Sequence, residues 1–133
     1  PFFVIRDLLA ANTDADDNFG SDVALSADGN ILAIGAFLED SSAIGVDGDP
    51  LDNSGFNNGA VYLFQRNGTT WVQQRYIKAS TSQNTSGLGG SVALSADGDT
   101  LAAGASGEDS AASGINGDQL DTSASGAGAV YLY

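Results

Sequence analysis

Short apolar runs separated by polar turns make up most of this chain. "SDVALSA" (21–27) sets Val23 and Leu25 between smaller residues, the two-residue period of a half-buried strand. "NILAIGA" (30–36) is an almost unbroken apolar run, suited to a central strand covered on both faces. "GAVYLFQ" (59–65) is rich in β-branched and aromatic residues, which favour strands. "TWVQQRYIKA" (70–79) interleaves polar side chains, as an outer strand does. Asp28-Gly29 and Asn67-Gly68 predict hairpin turns, because both turn positions need a backbone these pairs adopt cheaply. Between the second and third strands, residues 38–58 read as one long polar loop. No segment sustains a helical period, so the pattern predicts an all-β protein.

The pattern then repeats. "VALSADGNILAIGA" (23–36) lies on "VALSADGDTLAAGA" (92–105), 69 positions later. The same offset lays "EDSSAIGVDGDPLDNS" (39–54) on "EDSAASGINGDQLDTS" (108–123), and "GAVYLF" (59–64) on "GAVYLY" (128–133). Upstream, "RDLLAA" (6–11) lies on "RYIKAS" (75–80). Apolar and charged positions match together, which chance similarity between low-complexity segments does not produce. The chain divides into two sequence units, 1–69 and 70–133.

Composition narrows the chemistry. The 133 residues contain no Cys and no His, which removes disulfides, thiolate and imidazole metal sites, and Ser-His-Asp catalysis. Four Lys+Arg face seventeen Asp+Glu, a net charge of −13, which argues against nucleic acid and anionic lipid as partners. No run is long enough to span a membrane. All but two of the acids, Glu39 and Glu108, are Asp, a residue of turns rather than of helix faces.

Four antiparallel strands per unit, with small Ala, Gly and Ser on the first two, read as a propeller blade. "NFGSDVALSADGNILAIGA" (18–36) resembles the FG-GAP repeat of integrin-α-type β-propellers, in its bacterial form with a "GAVY" strand. Phe19-Gly20 stands for the FG, and Gly35-Ala36-Phe37 for the GAP with its Pro replaced; Leu88-Gly89 and Gly104-Ala105-Ser106 are the weaker second copy. The resemblance implies an extracellular or cell-surface protein of structural or adhesive function, usually one of seven blades, with calcium bound. This chain holds material for two.

Naming the blade strands A to D from the axis outward, "FFVIRDLLA" (2–10) aligns with the D strand of 70–79. The order is therefore D-ABC-D-ABC, an incomplete ring. Strand 128–133 would be an exposed apolar edge, which soluble proteins avoid. Two expectations follow. Residues 2–10 of one copy add to strand 128–133 of the next, assembling a ring or filament head to tail. Alternatively, the ring is completed by a longer chain.

The long loops carry Glu39, Asp40, Asp47, Asp49 and Asp52 in the first copy, and Glu108, Asp109, Asn116, Asp118 and Asp121 in the second. Oxygen ligands separated by Gly suit calcium, which takes several carboxylates and carbonyls on a tightly turned loop. They lack the twelve-position EF-hand pattern. Integrin-type repeats hold calcium between the first two strands, where this chain has only a short "SADGN" or "SADGD" turn, so the candidates fall in the loop between strands B and C. The competing reading is solubility and Asx-turn chemistry, and for Asp14, Asp16 and Asp17 that reading leads. It also accounts for Asp28 and Asp97. Asn67-Gly-Thr and Asn84-Thr-Ser match the glycosylation sequon, and Trp71, Tyr62 and Tyr131 are aromatic enough to stack on sugars. Identical acids in duplicated loops speak for binding rather than catalysis. The expected function is a calcium-binding, self-assembling, extracellular propeller protein that is not an enzyme; the alternative is a lectin-like module binding a glycan or a surface protein.

Overall fold

A computed structural model describes residues 7–133. It contains seven strands and no helix: β1 Val23–Leu25, β2 Ile31–Ala36, β3 Ala60–Asn67, β4 Thr70–Ile77, β5 Leu88–Leu94, β6 Leu101–Ala105 and β7 Ala129–Leu132. They form two antiparallel sheets, of order β1-β2-β3-β4 and β5-β6-β7. The second sheet repeats the first three strands of the first. The sheets do not close on one another, and the arrangement is that of consecutive blades in an incomplete propeller.

Local chemistry accounts for the turns. In the β1–β2 hairpin, the Ser26 hydroxyl donates to Asp28 Oδ1 at 2.7 Å and accepts from the Ile31 amide at 3.0 Å. Ser95 and Asp97 make the same pair in the second sheet. Gly29 and Gly98 take the positive φ that follows. These hydrogen bonds hold the Asp28 and Asp97 carboxyls below the usual carboxylate range, the serine hydroxyl being the largest cause. The β3–β4 hairpin differs from the expected Asn67-Gly68 turn by one residue. Asn67 pairs with Thr70, so the two loop residues are Gly68 and Thr69, with Gly68 at φ 62° in the first position. A two-residue hairpin of that kind needs Gly first, and the residue order supplies it there.

Two apolar clusters result. One lies between the sheets and joins Ala33, Val61 and Ile77 to Leu88, Leu101 and Tyr131. The other covers the far face of the first sheet, where Phe19 packs edge-on to Tyr62 with ring centroids 5.2 Å apart. At the waist the sheets meet backbone to backbone. A Cβ on Gly35 would lie 1.9 Å from the Gly89 carbonyl oxygen, so no side chain fits there. A parallel bridge Gly59↔Leu88 and a bond from the Val92 amide to Asp22 Oδ2 (2.7 Å) complete the joint.

The outer strand is not where the sequence units divide. β4 pairs with β3 throughout and so belongs to the first sheet, although it opens the unit 70–133. Of the expected N-terminal strand 2–10, residues 1–6 lie outside the described residues, and 7–10 are not in a strand. β4 is also only half an edge. Thr70–Gln74 alternate exposed and partly buried and Arg75 is exposed, but Tyr76 and Ile77 are buried, as are Lys78 and Ala79 beyond the strand's end. There the loop returns against the free side of β4, through the antiparallel bridge Val46↔Ile77.

Candidate functional site

The loop between β2 and β3 begins with Glu39, 1 % exposed. Its backbone N–H bonds back to Ala36, and its carbonyl accepts from Gly59, so the loop is pinned at both mouths. The side chain turns inward. Glu39 Oε2 accepts from Lys78 Nζ at 2.5 Å and from the Ser41 amide at 3.2 Å; Oε1 accepts from the Tyr76 hydroxyl at 2.5 Å. Asn12 closes the top: its amide donates to the Pro50 carbonyl at 2.8 Å and, weakly, to Glu39 Oε1 at 3.5 Å, and its Oδ1 accepts from Tyr62. Burial pulls the Lys78 ammonium below the ordinary lysine range, with the Glu39 charge opposing. Burial and the adjacent carboxylate push the Tyr62 and Tyr76 hydroxyls well above the tyrosine range. This is a buried ion pair with its lone pairs occupied, the form in which such a pair is tolerated.

Glu108 occupies the same place in the second sheet and is 2 % exposed. Its Oε2 accepts from the Ser110 amide at 3.0 Å, as Glu39 accepts from Ser41. The Asn12 position has become Thr81, whose buried hydroxyl finds no partner. Gln83, two residues on and one methylene longer than Asn, does the work instead: its amide donates to Glu108 Oε1 at 3.0 Å and to the Gln119 carbonyl at 3.1 Å. The cation is what differs. Among the described residues Glu108 makes no ion pair, and the sheet has no fourth strand to bring one.

The remaining acids are turn-makers in matched pairs. Asp40 and Asp109 each accept a loop amide at 2.7 Å, from Asn57 and Gly126. Asp49 and Asp118 accept from the Leu51 and Leu120 amides at 2.9 Å. Asp52 and Asp121 accept from Ser54 and Ser123, at 3.0 and 3.1 Å. Asp52 also accepts from the Ser42 hydroxyl, which with Ser54 holds its carboxyl at about 2. Asp47 takes the Tyr76 amide at 3.0 Å and faces Arg75 at 3.6 Å. Asn116 is its counterpart, and both have positive φ, 55° and 56°. The ten candidate ligands are therefore spread along two loops. Among the described residues no group of three or more acids is placed to hold a metal ion. Tyr62 is fully buried, so it offers no sugar platform.

What the duplication leaves open is a groove of about 930 Å³ beside β7. One wall is Ala129–Tyr133, the other is Gly114–Gly117, and Glu108 lies between them. In the first sheet the equivalent space holds β4. There Lys78 donates to the Gly45 carbonyl at 2.7 Å, and Asp47 to the Tyr76 carbonyl at 2.7 Å. Val61 of β3 is 0 % exposed because it packs in the cluster between the sheets; Val130, at the same repeat position, faces away from that cluster and is 70 % exposed, as Leu132 is at 72 %. Across the groove Ile115 is 93 % exposed. The partners that matter, Tyr76 and Lys78, were not among the sequence candidates. Two signals pointed to them: the only two glutamates share one repeat position, and Lys78 is the only lysine in the chain.

A family model described as the FG-GAP repeat matches residues 4–64. No curated protein and no solved structure matches the chain. The match ends at Phe64, the repeat counterpart of Tyr133, and so spans the stretch before β1 together with β1, β2 and most of β3.

Proposed function

We propose, from the FG-GAP repeat that residues 4–64 carry and the copy that follows it, that this chain is a non-catalytic propeller module that works by accepting a β-strand along β7. The observation that carries the reading is that β3 is paired on both sides, with β2 and β4, whereas β7 is paired with β6 alone among the described residues. Main-chain groups of an edge strand give such an added strand its affinity, and pockets for alternate side chains give it specificity. An extracellular setting with a structural or adhesive role fits a strand-linked module, as does self-assembly through residues 2–10 and 128–133. Calcium draws no support from the placement of the loop acids, which are occupied as turn caps; a calcium titration followed by melting temperature decides it.

Hydrogen exchange tests the edge. The β7 amides not bonded to β6 should exchange fast in the isolated monomer and slow down on complex formation. Equal protection in free and bound protein would remove strand addition from the mechanism. Mass in solution across concentration tests self-assembly separately, and a monomer throughout would end it.

A further inference from the structure

Two Asn-Gly pairs flank β3, Asn58-Gly59 before it and Asn67-Gly68 at its end. Such a pair has a chemistry of its own. The backbone nitrogen of the glycine attacks the side-chain carbonyl carbon of the asparagine and closes a cyclic imide. Glycine suits the step because no Cβ crowds the approach and its backbone turns freely. The fold treats the two pairs oppositely. Asn58 is 3 % exposed. Its amide nitrogen donates to the Ser41 carbonyl at 3.2 Å and to the Ser82 hydroxyl at 2.9 Å. The Gly59 nitrogen, which would have to attack, donates to the Glu39 carbonyl at 2.9 Å. The bridge to Leu88 clamps Gly59 further: a Cβ there would lie 2.2 Å from the Leu88 carbonyl oxygen, so its backbone has no room to swing. Asn67 is exposed, and its side chain makes no hydrogen bond among the described residues. The Gly68 nitrogen makes no backbone bond among them either, and nothing lies within 4 Å of where its Cβ would stand. Asn67↔Thr70 is also the last pair of the β3–β4 ladder, the end from which a hairpin frays.

We propose that Asn67 is a site of spontaneous deamidation, at which the folded chain converts this asparagine to aspartate and isoaspartate while sparing Asn58. Solvent base takes the proton of the Gly68 amide. The bond from the Gly68 nitrogen to Asn67 Cγ forms, the Cγ–Nδ2 bond breaks, and ammonia leaves. Water then adds to one of the two imide carbonyls and opens the ring. Opening at Cγ restores the main chain and leaves aspartate. Opening at the main-chain carbonyl leaves isoaspartate, whose main chain runs through the former side chain and is one carbon longer. Nothing is oxidised or reduced. Each event adds a negative charge to a chain already at −13 and removes the nitrogen to which a glycan would be joined at the Asn67-Gly-Thr sequon. The isoaspartate product does more. A two-residue loop fits the twist of its strands only at its native length, so the added carbon breaks the Asn67↔Thr70 pair and loosens the outer end of the hairpin. The hairpin tip thus records the age of the molecule.

The test holds the whole chain in mildly alkaline buffer, folded and in urea, and follows each asparagine by peptide mass over time. In urea Asn58 and Asn67 should react at similar rates, because the dipeptide is the same. In the folded chain Asn67 should react at least about tenfold faster than Asn58, which waits on an opening that breaks the bonds holding it. Hydrogen exchange at the Thr70 amide should quicken in the aged, isoaspartate-bearing fraction. Asn67→Gln protein aged alongside should gain no acid at this position and keep its Thr70 exchange unchanged. Equal rates at the two asparagines in the folded chain, or no reaction at Asn67 while folded, would overturn the proposal.

Discussion

Replacing each buried glutamate by glutamine should have unequal consequences at one repeat position. Glu39→Gln leaves Lys78 with no counter-ion, its side chain only 2 % exposed. Breaking a buried pair by removing one partner costs about 3–5 kcal/mol. An independent ceiling agrees: neutralising an ordinary lysine at pH 7 takes about 5 kcal/mol, and the variant need pay no more than that. Glu108→Gln removes a buried charge that no cation balances among the described residues. It also turns one amide donor toward an existing N–H, from Gln83 or Ser110. These effects oppose each other, and the net change should stay within about 1 kcal/mol. Urea unfolding separates the outcomes. With a slope of about 2 kcal/mol per molar, Glu39→Gln should lower the midpoint by about 2 M, and Glu108→Gln by less than about 0.5 M. The Glu39→Gln deficit should also shrink as pH rises from 7 toward 10. The unfolded chain loses its lysine proton only near 10.5, whereas the folded variant loses it earlier, so stability rises with pH in between. A large loss in Glu108→Gln, equal to that in Glu39→Gln, would show that the second carboxylate is already balanced.

Other consequences follow from paired positions. Gly35→Ala places a methyl group against the Gly89 backbone and should cost about 3 kcal/mol or more, while Gly104→Ala meets only the rotatable Ser91 hydroxyl and should cost under about 1 kcal/mol; thermal unfolding of both variants gives the comparison. Val61→Ala should cost about 2 kcal/mol, and Val130→Ala in the free chain under about 0.5 kcal/mol, by chemical denaturation. The raised Tyr62, Tyr76 and Tyr133 hydroxyls contribute stability that is complete below pH 10 and lost above it, by up to about 1.4 kcal/mol per pH unit for each. Lys78 works in the opposite sense below 10.5 but is one group against three, so melting temperature should fall between pH 10 and 11.5. Calcium at millimolar concentration should move the melting temperature by less than a degree, since the loop acids already cap amides; a rise of several degrees would restore the calcium reading by linkage.

The strands were legible because each carries its own periodicity, and the repeat was legible because apolar and acidic positions recur together. The turn acids were legible in type: an Asp in a polar turn caps the amide two residues on, and Asp49, Asp52, Asp118 and Asp121 do so. Glu39 was not, because its meaning depends on Lys78, 39 residues away on a strand that looks exposed in sequence. That strand turns inward only where the loop crosses it at Val46. The exchange of Asn12 for Gln83 is hidden for a related reason. An ungapped alignment pairs Asn12 with Thr81, while the hydrogen bond moves two residues and lengthens by a methylene to compensate.

The bare flank of β7 has a consequence for handling the molecule. An unpaired apolar edge is a template on which identical chains stack. The net charge of −13 opposes that stacking by repulsion, since every encounter between two copies brings like charges together. That protection reaches about 10 Å at 0.1 M salt and about 3 Å at 1 M. The chain should stay dispersed in dilute buffer and gel or precipitate in concentrated brine, so the charge that excludes anionic partners also serves as the colloidal guard of the open edge.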